Sequence, residues 1–510
     1  MAEPDKNRRI VKNTLFLYLR MFILLFVGFY TTRVILSSLG VDDFGLYNVI
    51  AGFVAMISFV NTSISNSIQR FLNFEMGKGK DGNVNRYFSV ALTTQLIVAG
   101  IIVLLAETVG LWLVNCRMNI PVDRVFAANV VYQASIITVV LKIFQSPFQA
   151  IVIAKEKMQF YAYQSLIEAF IQLAIAYFLA IVPNFKLELY SVLLLVLSIC
   201  LLVWNIIYSK KIQRDLILKP KIDSKIFKEV FAFCGWNLWG SAAGVVTNQG
   251  VNVVINIFFG VAINAARGVA MQVYSGVQRF IANFQIAMNP QIVQSYASND
   301  KERYIKLCYA NFKVSVYLMW IIVLPLMVSC QEVLGLWLGD NIPSQTLNFV
   351  YLALMIGLVE ALGSSISVPL YATGDIKKYQ IYVSVVRMLA LPVSYLLYKL
   401  GYPPVSSMVA IFILEIIAQI IRVLIWANKV NTGALYYLRQ IVIPLLIIIF
   451  CTYSLSYWAY SLLNIESRLL TILLTGLITL LLNIPSIFFL ALSQSERNMI
   501  LRILKKTKII

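Results

Sequence analysis

Nine basic residues interrupt otherwise apolar runs of this sequence: Arg20, Arg33, Arg70, Lys142, Arg267, Arg279, Lys313, Arg387 and Arg422. Five acids do the same: Glu107, Glu168, Glu332, Glu360 and Glu415. A charge exposed to hydrocarbon costs about 2.5–3.5 kcal/mol on insertion scales, so such residues turn toward protein or a wet cavity. Arg70, Lys313 and Arg422 lie near run ends, where a long side chain can snorkel to the interface. Glu107 and Glu332 sit at opposite ends and read as caps of a turn. Arg20, Arg33, Lys142, Arg267, Arg279 and Arg387 point instead to anion binding. Arginine suits phosphate, because its planar fork bonds two oxygens at once. The opposing reading is internal ion pairing with Glu168, Glu360 and Glu415, but three acids cannot neutralise six bases. Arg20 and Arg33 are 13 residues apart, about 220° around a straight helix. They share one cavity only if the run bends, with Gly28 the candidate, or if the cavity is wide.

Glu168, Glu360 and Glu415 are also candidates for ion coupling, since a buried carboxylate can carry a proton or help bind sodium. Asn248 and Asn252, one helical turn apart, offer neutral oxygens to a cation. The alternative for all five is interhelical hydrogen bonding. No cofactor is called for, and a coupling ion would be Na+ or H+. Histidine is absent, which removes Ser-His-Asp and Cys-His catalysis, His-ligated zinc and histidine proton relays. No enzyme is expected. The six cysteines, Cys116, Cys200, Cys234, Cys308, Cys330 and Cys451, form no CxxC pair and imply neither a disulfide framework nor a metal cluster. Gly77-Lys-Gly79-Lys-Asp-Gly82 fits GxGxxG but follows a helix and no strand, so it is not read as a nucleotide site. Gly240-Ser-Ala-Ala-Gly244 fits GxxxG and predicts close helix packing.

The elements that must hold these residues are membrane helices. The 510 residues are 60% hydrophobic and 13% charged, with a mean hydropathy of +0.80. A soluble domain is usually about 25% charged. About 20 mostly apolar residues cross the hydrocarbon core, and fourteen runs qualify. Twelve fall at approximately 14–37, 45–73, 87–114, 125–153, 160–182, 189–209, 230–259, 263–297, 306–338, 346–373, 379–400 and 404–428, and a final pair at 440–463 and 468–492. The fold class is therefore all-α and polytopic. The first run reads as a retained span and not a removable signal. With the N-terminus inside, inner segments hold 28 bases and outer loops five. That bias places both termini in the cytoplasm. It also accounts for most of the net +19, so the basic balance speaks for the membrane and its lipids as partners and not for nucleic acid.

The two halves of the chain resemble each other. Glu107-Thr-Val-Gly110-Leu-Trp112-Leu matches Glu332-Val-Leu-Gly335-Leu-Trp337-Leu at a spacing of 225. Ala154-Lys-Glu-Lys-Met-Gln-Phe-Tyr161 matches Ala372-Thr-Gly-Asp-Ile-Lys-Lys-Tyr379 at 218, and Leu39-Gly40-Val41 matches Phe259-Gly260-Val261 at 220. Arg86-Tyr87 and Arg303-Tyr304 both precede the next span. An even-numbered repeat inserts the same way up twice, giving a parallel pair of six-helix bundles with a pathway between them and alternating access as the mode of transport. The expected organisation is a bundle at 1–209, a basic linker at 210–229, a bundle at 230–428, and an extra two-helix unit with a basic tail at 429–510.

This plan resembles the polysaccharide-precursor flippases of the multidrug/oligosaccharidyl-lipid/polysaccharide exporter superfamily, over nearly the whole chain. The seventh and eighth spans are most similar: Asn248-Gln-Gly-Val-Asn252-Val-Val-Ile-Asn256-Ile-Phe-Phe-Gly260, Ile263-Asn264-Ala-Ala-Arg267-Gly268 and Ala287-Met-Asn-Pro290-Gln-Ile-Val-Gln-Ser295-Tyr. The turn Leu39-Gly40-Val41-Asp42-Asp43-Phe44-Gly45-Leu46-Tyr47 is similar too. The resemblance implies a flippase that carries an undecaprenyl-pyrophosphate-linked oligosaccharide across the bacterial cytoplasmic (inner) membrane for O-antigen, capsule or similar lipopolysaccharide or surface-glycan assembly. It implies a cationic cavity drawing on Arg20, Arg33, Arg70 and Arg267, to which the in-span census adds Lys142, Arg279 and Arg387. Glycan polymerase and glycosyltransferases are the implied partners. The alternatives are a cation-coupled multidrug exporter and a membrane glycosyltransferase or polymerase. The final helix pair and the positive spans argue against the exporter.

Overall fold

A computed structural model describes residues 3–56, 58–116, 120, 124–221, 223–338, 344–463, 465, 467–494 and 496–498. The basic tail expected beyond 498 lies outside them. Among the described residues there is no strand. The helices are α1 (Glu3–Met56), α2 (Ser58–Gly77), α3 (Val84–Leu105), α4 (Leu111–Cys116), α5 (Val125–Ala154), α6 (Met158–Ile181), α7 (Lys186–Ile212) and α8 (Ser224–Ala297). They continue with α9 (Lys301–Val328), α10 (Cys330–Leu338), α11 (Thr346–Ala372), α12 (Lys377–Met388), α13 (Ala390–Lys399), α14 (Ser406–Val430), α15 (Ala434–Tyr437), α16 (Ile443–Ser461) and α17 (Arg468–Ser486). The protein is a multi-pass membrane protein.

Among the described residues twelve helical stretches are long and apolar enough to cross a membrane, against fourteen expected over the whole chain. The expected span at 263–297 is helical but too polar to qualify, and the expected span at 45–73 is helical through its described residues on either side of position 57. α2 carries the polar run Asn61-Thr-Ser63-Ile-Ser65-Asn66-Ser67-Ile-Gln69-Arg70, and the later part of α8 carries Arg267, Gln272, Gln278, Arg279, Asn283, Gln285, Asn289 and Gln291. One polar helix therefore occurs at the same place in each half. Lipid gives such side chains no partner, so their faces turn to protein or water.

The halves also repeat their backbone irregularities. Gly40 (φ 81, ψ 172) interrupts α1, and Gly260 (φ 77, ψ −171) interrupts α8. That region of φ/ψ space is essentially open to glycine alone. Three further pairs of left-handed residues recur at nearly the same spacing: Gly79 with Asn299, Glu156 with Gly374, and Phe185 with Gly401. A π-helical turn at Ala106–Gly110 leads into Leu111-Trp112, while a break at Ser329 precedes Cys330–Leu338 with its Leu336-Trp337. Matching side chains in a membrane could arise by chance, but matched kinks at matched spacings show duplication.

The chain forms two compact units. One comprises residues up to Ser241 with Ile286–Lys301, and the other Ala242–Gln285 with Glu302 onward. In the first, α1 packs on α6 and α5, α5 on α7, and α2 on α5 and α3. Asn237 donates to the Ser63 carbonyl at 2.7 Å and so ties α8 to α2. In the second, α14 packs against α11, α12 and α13. The final helices join this unit: Trp320 donates to Thr452 at 3.0 Å, and Arg468 donates to the Gly335 carbonyl at 3.2 Å. Close packing does not fall on Gly244, where a Cβ would meet open space. It falls on Gly250, where a Cβ would come within 2.8 Å of Leu391. The five cysteines with described side chains, all but Cys116, are free.

Asp223 caps α8 by accepting from the backbone N–H groups of Ile226 and Lys225, and it pairs with Arg86. These interactions, the Ile226 N–H foremost, hold its carboxyl below the usual value of 3.8. A lowered pKa contributes stability above the usual value and loses it as pH falls through the lowered one. Hydrogen exchange at the start of α8 should therefore rise once pH drops below about 3.8, and Asp223→Asn should abolish that step. Gly40→Ala and Gly260→Ala should each lose about 1–3 kcal/mol of unfolding free energy in detergent, whereas Gly244→Ala should leave it unchanged.

Candidate functional site

The in-span charges fall into three settings. The first is an ion-pair cluster in the second unit. Arg387 directs its fork at Glu415, with Nε to Oε2 and Nη2 to Oε1 both at 2.8 Å, and Nη2 also reaches Glu360 at 2.9 Å. Arg422 donates to the same Glu415 oxygen at 2.8 Å. Gln419 faces Arg422 and passes the network to Tyr437 at 3.2 Å. Local sequence makes this possible. Pro392 removes a backbone donor and crowds the Met388 carbonyl, so the helix breaks at Leu389, two residues after Arg387. Glu415, Gln419 and Arg422 share one face of α14 at i, i+4 and i+7. A Cβ at position 363 would stand 2.2 Å from Arg422 Nη1, so glycine there lets the guanidinium lie against α11.

This cluster holds two acids and two bases. Glu415 and Arg422 are 6% and 2% exposed, Arg387 and Glu360 28% and 29%. Its charge is balanced, so Arg387 is engaged by carboxylates and Glu360 and Glu415 by guanidinium groups. Lys142 on α5 likewise lies within electrostatic reach of Glu168 on α6. The ion pairing weighed against an anion cavity is thus present for Glu360 and Glu415, while Glu168 makes no ion pair among the described residues.

The second setting is aromatic. Arg70 is buried, with its guanidinium 4.6, 4.8 and 5.3 Å from the ring centres of Phe71, Phe74 and Phe233, and with Glu229 in electrostatic reach. It does not snorkel, because a cation over ring faces is stabilised in place. Nor does Arg422, and Lys313 is buried against Glu496 at 2.9 Å, on the segment after α17. Arg20 lies 4.6 Å from the Tyr161 ring centre. The helix shows no break at Gly28 and kinks only at Gly40. Arg20 and Arg33 therefore remain on different sides of α1, and the bend that would have brought them together is absent.

The third setting has no carboxylate. Arg267 is 1% exposed. Its guanidinium donates to Asn252 Oδ1 and, at 3.5 Å, to Asn248 Oδ1, while its Nε makes no hydrogen bond. The two amide oxygens considered for a coupling cation therefore face a resident guanidinium. Arg33 on α1 and Arg279 on α8 are exposed and make no ion pair among the described residues. Glu107 and Glu332 accept from Gln133 at 3.2 Å and from Tyr460 respectively. Sequence reasoning missed Gln419, Tyr437, Gly363 and Glu496. Only the α14 spacing of Glu415, Gln419 and Arg422 could have signalled part of that group.

No protein-family model and no curated protein matches the chain. Solved structures do. An outward-facing multidrug-resistance MATE family transporter of the MOP superfamily superposes with a TM-score of 0.71 at 12% identity, over 84% of this chain and 96% of its own. The fold is that of the MATE transporters. A MATE protein in the bent conformation also gives 0.71 at 12% identity, over 84% and 98%. A MOP-superfamily transporter from Pyrococcus furiosus, described as having a binding pocket of reversed polarity that suggests a different function, gives 0.69 at 12% identity, over 84% and 96%. Nearly all of each relative is covered but not all of this chain, so the chain carries a stretch that those relatives lack.

The cluster generates a stability prediction. Breaking a buried pair leaves an uncompensated charge and costs about 3–5 kcal/mol. Glu415→Gln should lower the unfolding midpoint in detergent far more than Glu360→Gln, whose partner retains Glu415. Equal midpoints would refute the assigned roles.

Proposed function

We propose that this protein is an alternating-access transporter for an anionic amphiphile, specifically an oligosaccharide linked to undecaprenyl pyrophosphate, moved across a bacterial cytoplasmic membrane for surface-polysaccharide assembly. Arg267 carries the reading. A buried guanidinium held by two amides, with no acid among its hydrogen-bond partners, keeps its positive charge in a setting where charge is expensive. Arg33 and Arg279 support it as exposed, unpaired arginines in helices of a membrane protein. Pyrophosphate is the group for which such forks are suited. Arg387, whose charge is balanced by acids, takes a structural part in this reading, and Lys142, Arg20 and Arg70 a supporting one. Both termini lie in the cytoplasm on the charge bias of the loops. Coupling by Na+ or H+ belongs to the reading only where a carboxylate is released from its arginine, which makes Glu360, the more exposed acid of the cluster, the candidate. Glycan polymerase and glycosyltransferases would supply and consume the cargo.

Multidrug export is the second reading, and the multidrug MATE relative favours it. The two differ in the sign of the cargo. A cationic drug calls for unpaired carboxylates, whereas Glu360 and Glu415 are each ion-paired, which leaves Glu168 as the acid that reading would use.

The test uses a strain that depends on this gene for surface glycan. Arg33→Ala and Arg279→Ala, at exposed positions, should cut glycan display about tenfold or more with protein level unchanged, as loss of a charge-assisted bond of 1.5–3 kcal/mol implies. Arg267→Gln should do so too, and Arg267→Lys should restore part of it. Undiminished display would sink the flippase reading. Resistance to cationic dyes on overexpression, with no glycan phenotype, would establish the exporter.

A further inference from the structure

A second cationic feature lies away from the in-span arginines. In the first unit the end of α2, the start of α3, the end of α5, the linker after α7 and the last turns of α8 enclose an open cavity of about 1130 Å³. Its charged lining is Arg86, Lys155, Lys219 and Lys221 against Glu156, Asp215 and Asp223. Most of the acids are already engaged. Asp223 holds Arg86 and caps α8. Glu156 is buried and accepts from Gln291 at 2.7 Å. Only Asp215 then stands against three lysines, none of which makes an ion pair among the described residues.

The lining is also held in place. Thr93 on α3 donates to the Lys221 carbonyl at 3.0 Å, and the Lys221 N–H reaches the Ser89 carbonyl at 3.5 Å, so the linker is pinned to α3 across the cavity. Gln294 of α8, which donates to the Ala154 carbonyl at 2.9 Å, closes the far side. Gly79 and Gly82, from the loop whose GxGxxG pattern had no strand to support it, leave bare backbone on the near side. Three unpaired ammonium groups on a fixed frame at the helix ends, where headgroups lie, suit one ligand chemistry.

We propose that this cavity binds the phosphate of an anion at the membrane surface, whether borne by a lipid headgroup or free in solution. The site is independent of the transport reading, because none of the in-span arginines lines it. It also spans both halves of the sequence, since Gln294 belongs to the second repeat and the lysines to the first repeat and the linker, so an occupant would brace the two ends together.

The experiment compares two triple variants of the full-length protein with the wild type. Lys155→Gln/Lys219→Gln/Lys221→Gln removes the cavity lysines. Lys210→Gln/Lys211→Gln/Lys228→Gln removes equal charge from neighbouring positions outside the lining. Phosphatidylglycerol binding is read by titration into neutral-lipid nanodiscs, and inorganic pyrophosphate binding in uncharged detergent. The cavity triple should lose about tenfold or more in affinity for whichever probe binds the wild type, and the outer triple less than about twofold. Loss with phosphatidylglycerol alone assigns a lipid headgroup, and loss with pyrophosphate assigns a free anion. Equal loss in both triples, no loss in either, or no binding of either probe to the wild type overturns the site. Matching unfolding midpoints verify that the variants fold.

Discussion

A guanidinium in a bilayer must be answered by something nearby, because no water is there to answer it. With nine bases inside its apolar runs, the chain meets that demand in several ways, and the differences organise the molecule. Arg387 and Arg422 are met by carboxylates, Lys313 by Glu496, Arg70 by aromatic faces and Glu229, and Arg20 by the Tyr161 ring, while Lys142 has Glu168 only within electrostatic reach. These charges are spent on holding helices together, and each fixes local architecture. The Arg422 guanidinium needs Gly363, Arg387 sits at the break before Pro392, and the Glu496 carboxylate docks the segment after α17 on α9. What is left after these pairings is Arg267 among amides and two exposed arginines, and that remainder bears on a cargo.

The duplication and the all-helical class are legible in the sequence, because each is a property of spacing and composition. Gly40 and Gly260 stand in matched tripeptides, and the structure shows why: both occupy a backbone region closed to other residues. The site is less legible. The identities of the in-span charges can be read off, and so can the fact that three acids are too few for six bases. Which acid meets which base cannot, since Arg387 and Glu415 are joined across 28 residues, Lys313 and Glu496 across 183, and neither pairing leaves a periodic trace. Snorkelling was the natural reading for residues near span ends, and it fails for Arg70, Arg422 and Lys313 because tertiary packing supplied closer partners than the interface. The Asn248 and Asn252 pair shows the same limit. One helical turn of spacing predicts that two oxygens converge, but not that the cation between them is Arg267.

The two polar helices connect fold to function. A run of polar side chains within a helix, repeated once in each half, is a costly feature for a protein that only needs to span a membrane. Each is tied into its own unit by amides and hydroxyls and not by ion pairs: Asn237 to Ser63 in the first, and Gln285 to Ser364 at 2.9 Å and Gln278 to the Gly357 carbonyl at 3.2 Å in the second. Neutral hydrogen bonds hold a helix without fixing charge, which leaves Arg279 on the same helix exposed. They also exchange more easily than a buried ion pair when a helix must shift, as a moving transporter requires.

The fold and the charge therefore answer different questions. Likeness at 12% identity carries the helix arrangement and says nothing about which ion or lipid it moves. Within this same fold one relative is described by a reversed polarity of its binding pocket, so the architecture tolerates either sign and the side chains decide. In this chain Glu360 and Glu415 are held by arginines, while other arginines remain beyond those pairings. A carrier selected for cations would have the opposite surplus. The surplus is small, a few guanidinium groups out of 42 bases, yet it lies where keeping a charge is most expensive, and it is the observation on which the proposal of an anionic passenger rests.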